Sequence, residues 1–228
     1  MIVLPWPYLA LLTLGYGLAL SYGQLGVQTL IAIGLLTLSG LAVLQRKSHY
    51  LRYAGHALFV VLAVALALHW LPGFHNGRAI NPARLTPDAV PFSMYFNLDK
   101  PLIGVWLLLV CPWIAPRFAW RASLGATLMG LALAASMALG GAMLLGMITW
   151  APKWPHQGTL WLLNNLLLVT LVEEALFRGY IQGGLSRKLK MLPYGQTVAL
   201  VAASTLFGLA HAAAGWQWML LAGLAGVG

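Results

Sequence analysis

Long runs of leucine, alanine, valine and isoleucine, free of charge, constrain this chain more than any other feature. A window of about 20 apolar residues is long enough to cross the hydrocarbon core of a bilayer as a helix. Such windows fall near 2–21, 25–44, 54–72, 101–116, 122–148, 159–180 and 196–212. An eighth run starts at Trp216, and its 13 residues to Gly228 reach only about 20 Å into a core of roughly 30 Å. It reads as a helix cut short, so the chain is expected to be a fragment of a longer protein. With 61% hydrophobic and 7% charged residues, against about 25% charged in soluble domains, the expected fold is all-α: a polytopic transmembrane helical bundle of about seven spans plus a partial eighth.

The net charge of +9 does not point to nucleic acid, because the Lys and Arg residues fall between apolar runs and not along one face or tail. Arg46, Lys47 and Arg52 follow the second run, Arg117 and Arg121 the fourth, and Arg187, Lys188 and Lys190 the sixth. The positive-inside tendency puts these loops, and with them the N-terminus, on the cytoplasmic side. The segment 73–100 is rich in Pro and Asn and holds Asp88 and Asp99, so a polar, turn-rich loop outside the bilayer is expected there. It lies within an expected N-terminal transmembrane region, 1–116, which is followed by a second half, 117–228. Cys111 is the single cysteine, which excludes an internal disulfide. The short loops fit a bacterial inner-membrane protein.

Against this background "LVEEALFRGY", residues 171–180, stands apart, because half of the four acidic residues of the chain sit there as Glu173 and Glu174. A charged residue at the centre of a spanning helix costs about 2.5–3.5 kcal/mol on insertion scales. Glu174 and Arg178 are four apart, share a helix face and can pair. Glu173 is rotated by about 100° from that face and is left without this partner. A carboxylate in a low-dielectric site takes up a proton more readily than in water, which suits a general base acting on water near neutral pH; Glu173 is the candidate. The next apolar run, "STLFGLAHAAAG", supplies His211 as a second polar group, with Phe207 one turn before it on the same face. The alternative is a buried polar network that only ties helices together. His56 and His69, in the third run, are further candidates for polar lining, whereas Ser204 reads as a packing residue.

"EEALFR", Glu173 to Arg178, and "FGLAH", Phe207 to His211, resemble the EExxxR and FxxxH motifs of the CPBP family, the type II CAAX prenyl endopeptidases and bacteriocin-processing or immunity proteins. The resemblance covers roughly residues 120–228. It implies an intramembrane protease of glutamic type, in which Glu173 activates water for attack on a peptide carbonyl. Glu174 and Arg178 would support it, and His211 would position water or stabilise the intermediate, with Phe207 walling the pocket. The substrate would be a membrane-associated protein or peptide. A divalent metal such as zinc, held by Glu173 and His211, is also compatible with the family, although two ligands do not make a zinc site. The family's further span, with a second histidine and an Asn or Asp four residues on, is absent from this sequence.

Two other classes remain open: a non-catalytic immunity or scaffold protein, and an ion-coupled transporter carrying ions on the buried glutamates. No inverted repeat supports the transporter. Helix lengths set one condition on the protease. Glu173 lies about 21 Å along the sixth run and His211 about 22 Å along the seventh, and straight helices of opposite direction would leave them more than 10 Å apart in depth. The gap closes if the sixth helix continues into "IQGGLSRKLK", if the seventh starts later, or if the helices tilt.

Overall fold

The computed structural model describes residues 6–45, 47–87, 89–114 and 120–227; Arg46, Asp88 and Arg117 lie outside them. Helices dominate: α1 (Trp6–Ser21), α2 (Thr29–Leu44), α3 (His49–Ala67), α4 (Pro101–Val110), α5 (Trp120–Leu144), α6 (Gly158–Lys188), α7 (Gly195–Ala210) and α8 (Trp216–Ala225). His49–Ala67, Leu124–Leu144 and Gly158–Lys188 are long and apolar enough to cross a membrane. The apolar stretches Ala10–Ser21, Thr29–Leu44, Pro101–Val110 and Gly195–Ala210 are shorter. Outward-facing side chains stay aliphatic, as with Leu14, Leu18, Leu128, Met129 and Leu131. In water so much exposed apolar surface would drive aggregation; in lipid it carries no such penalty. The protein is a helical integral membrane protein.

One part departs from the all-helical expectation. Within the segment 73–100, β1 (Arg78–Ala83) and β2 (Phe92–Tyr95) pair antiparallel, with Arg78 opposite Tyr95, Ile80 opposite Met94 and Ala83 opposite Phe92. The alternation of side chains turns Ile80 and Met94 inward, where both are buried. The segment is also tied down at its base, by Gly26 N–H to the Gly73 carbonyl (2.8 Å) and His75 N–H to the Gln24 carbonyl (2.9 Å).

By internal contacts the chain forms two compact units, Met1–Pro112 with Trp154–Glu173, and Trp113–Lys153 with Glu174–Gly228. In the first, α2, α3 and α4 share a core. Phe59 and Trp106 stack with ring centroids 3.7 Å apart, and the Trp106 indole N–H donates to the Leu36 carbonyl at 3.0 Å, which satisfies its one polar atom in a buried position. Gly55 lets α2 and α3 touch: a Cβ there would stand 2.7 Å from the Ser39 carbonyl oxygen and 2.8 Å from the Val43 nitrogen. In the second unit α7 and α8 meet in the same way through small residues. A Cβ on Gly208 would stand 2.7 Å from the Met219 carbonyl oxygen, and one on Gly226 would meet Ser204 Cβ at 3.2 Å. Ser204 is thus a buried packing residue, as expected.

Gly55→Ala should therefore destabilise the protein by about 1–3 kcal/mol, because its new neighbours are backbone atoms that cannot turn aside. Gly34→Ala meets nothing within 4 Å and should be neutral or stabilising by about 0.5–1 kcal/mol. Thermal unfolding in detergent, followed by tryptophan fluorescence, checks the contrast; equal melting temperatures for the two variants would refute the close packing of α2 on α3.

Candidate active site

The glutamate pair lies midway along α6, in a place where the helix is irregular. Residues Asn165–Thr170 and Ala175–Gln182 are π-helical and flank one α-helical turn, Leu171–Glu174. π-Helical turns are rare and recur at functional sites, because the wider i→i+5 ring re-aims the side chains around it. The helix runs on to Lys188.

Each glutamate has a cation. Arg178 Nε lies 2.8 Å from Glu174 Oε2, the pairing that their i, i+4 spacing anticipated. Glu173, left without Arg178 as expected from its rotation on the helix, has another cation nearby: Lys100 Nζ stands 3.9 Å from its Oε1. Spacing along α6 could not reveal that contact, because Lys100 comes from the start of α4. The Glu173 and Lys100 side chains are mostly shielded, at 27% and 20% exposure, whereas Glu174 is 54% exposed.

Beside Lys100 in sequence, Asp99 ends the polar segment 73–100 and is 1% exposed. A buried carboxylate must find hydrogen bonds within the protein, and Asp99 has three. His69 Nδ1 lies 2.5 Å from Oδ2, Asn76 Nδ2 donates to the same oxygen at 3.3 Å, and the Lys100 backbone N–H donates to Oδ1 at 3.0 Å. Since Nδ1 donates to the carboxylate, Nε2 is the acceptor of a neutral His69 ring. His69 reaches Asp99 at a backbone cost. It sits just past the end of α3 with φ +58°, where its N–H bonds the Leu66 carbonyl and the Trp70 N–H the Ala65 carbonyl. This left-handed helix-ending position usually takes glycine. A histidine there trades backbone ease for a bond to a buried charge.

His211 caps α7 with a similar restriction on its ring. Its Nδ1 donates to the Phe207 carbonyl at 2.9 Å, so the neutral ring presents Nε2 as an acceptor. Phe207 packs edge-on against both His211 (centroids 4.7 Å apart) and Phe177 of α6 (5.1 Å). The F-x-x-x-H spacing thus has a local meaning: the residue four before the histidine supplies both the carbonyl that selects its tautomer and the ring that fixes its plane. Among the described residues no three His, Cys, Asp or Glu side chains are grouped to hold a metal ion. The donor set of a zinc site, three or four such ligands, is not met there.

Compared with known proteins, residues 155–228 match the family model described as Type II CAAX prenyl endopeptidase Rce1-like. The matched segment contains both motifs. No curated protein and no solved structure matches the chain.

Replacing Asp99 by Ala should remove three hydrogen bonds to a buried acceptor and cost about 1–3 kcal/mol, seen as a lower melting temperature in detergent. His69→Gly should cost less than Asp99→Ala, since the glycine relieves the left-handed backbone. The reverse order would show that the histidine, not the carboxylate, anchors the cluster.

Proposed function

We propose, from the match of residues 155–228 to the type II CAAX prenyl endopeptidase family, that this protein is an intramembrane endopeptidase. Its substrate is a peptide bond of a membrane-associated protein or peptide, and Glu173 is the general base. The observation that carries the reading is the glutamate pair itself: two adjacent carboxylates midway along an apolar helix, each beside a cation, inside the matched segment. Insertion energy alone disfavours such residues, and a chemical task accounts for their presence.

The Glu173 carboxylate takes a proton from water while the water oxygen attacks the carbonyl carbon. The proton then passes to the leaving amine nitrogen as the C–N bond breaks. Lys100 holds a positive charge beside Glu173 and positions its carboxylate. The Glu174–Arg178 pair steadies the turn that carries the base. His211, with Nε2 as acceptor, orients the attacking water in preference to donating to the oxyanion. Phe207 holds the imidazole in place and walls the pocket. The wider arrangement we propose has about seven spans plus a partial eighth, with a cytoplasmic N-terminus in a bacterial inner membrane.

Glu173→Gln keeps the shape of the side chain and removes the base. Cleavage of a library of membrane-tethered reporters should fall about 10²- to 10⁴-fold with little change in melting temperature, and unchanged cleavage would exclude Glu173 as the base. Arg178→Ala separates catalytic from structural roles. An exposed ion pair contributes about 0–1 kcal/mol to stability, so a large loss of cleavage without a matching loss of stability is expected. Proton or ion flux in proteoliposomes without proteolysis would favour the transporter instead.

A further inference from the structure

The first unit contains a cavity of about 470 Å³, separate in its lining from every residue assigned to the reaction above. It is lined by the strand β2 with the two residues after it, Phe96 and Asn97, by Trp161, Asn164 and Asn165 from the first half of α6, and by His69 and Asn76. Its volume is that of a small-ligand site.

Three features define what fits. First, Asn164 is 4% exposed, yet among the described residues its Oδ1 has no hydrogen-bond partner, and its Nδ2 meets the thioether of Met94, at 3.4 Å. Leaving a buried carboxamide so poorly served costs about 1–3 kcal/mol, a cost that a ligand with both a donor and an acceptor would remove. A peptide group is such a ligand. Second, the lining among the described residues has no Lys, Arg, Asp or Glu, so neither an anion nor a strong cation is matched. Third, β2 is one edge of a two-stranded sheet among the described residues, and a free strand edge accepts an extended chain by main-chain hydrogen bonding. Phe92, Phe96 and Trp161 supply aromatic walls for a large apolar side chain.

We propose that this cavity binds an extended, uncharged peptide segment, with its main chain between the β2 edge and the Asn164 and Asn165 carboxamides and an apolar side chain among the rings. Resting on the proteolytic reading, the segment belongs to the substrate. Asn164 and Glu173 are nine residues apart on one helix, about 14 Å along its axis. An extended chain spans that in about four residues, so the bound segment lies about four residues from the scissile bond.

The test uses the full chain in lipid nanodiscs and an acetylated, amidated heptapeptide of alternating alanine and serine with a central benzoylphenylalanine. Photolysis should label residues within 92–97 or 161–165, as mapped by mass spectrometry. Labelling should fall at least about tenfold for Asn164→Leu, for the more exposed and better tolerated Asn165→Leu, and for the same peptide with a methylated backbone. Labelling elsewhere, or equal labelling by the methylated peptide, overturns the inference. Glu173→Gln should be labelled as the wild type is. A labelled cavity in a protein that cleaves no reporter keeps the binding site and removes the proteolytic reading. Cleavage without labelling of the cavity does the opposite.

Discussion

A carboxylate placed among apolar helices has no water to compensate it, so the protein must supply its partners. Three of the four acidic residues are described, and each has a partner. Asp99 is held by His69, Asn76 and the start of α4. Glu173 faces Lys100, and Glu174 faces Arg178. The dipeptide Asp99-Lys100 is the common element of the first unit, since one residue anchors the end of α3 and the next reaches the candidate base. Much of the first unit's local geometry follows from satisfying these charges, including the left-handed histidine at the end of α3.

The same requirement connects structure to chemistry. A base useful for water activation is a carboxylate shielded from bulk solvent. Glu173 is shielded, and its cation stands at 3.9 Å, whereas the more exposed Glu174 makes a 2.8 Å contact. This difference supports separate jobs for two adjacent residues of one type. On α7 the tautomer of His211 is set by a carbonyl one turn earlier, so its free nitrogen is determined locally.

Features repeated along the chain are legible in the order of residues. Apolar windows mark the helices, and the i, i+4 spacing marks the Glu174–Arg178 pair and the F-x-x-x-H face. The segment 73–100 is not legible in this way, because its Pro and Asn content signals turns and says little of the hairpin or of a buried Asp99. Neither is the partner of Glu173, which lies 73 positions earlier in the chain. The asparagines of the cavity carry no motif, and only the orphaned Asn164 oxygen marks them out.

By itself the sequence determined that this chain is a helical membrane protein whose acidic residues concentrate on one helix, because hydropathy and helical spacing are local properties. Only the tertiary structure decided which cation faces Glu173, which groups surround Asp99 and where a strand edge meets α6. Those contacts join residues far apart in the chain, and charge compensation is fixed by distance in space, which no local pattern encodes.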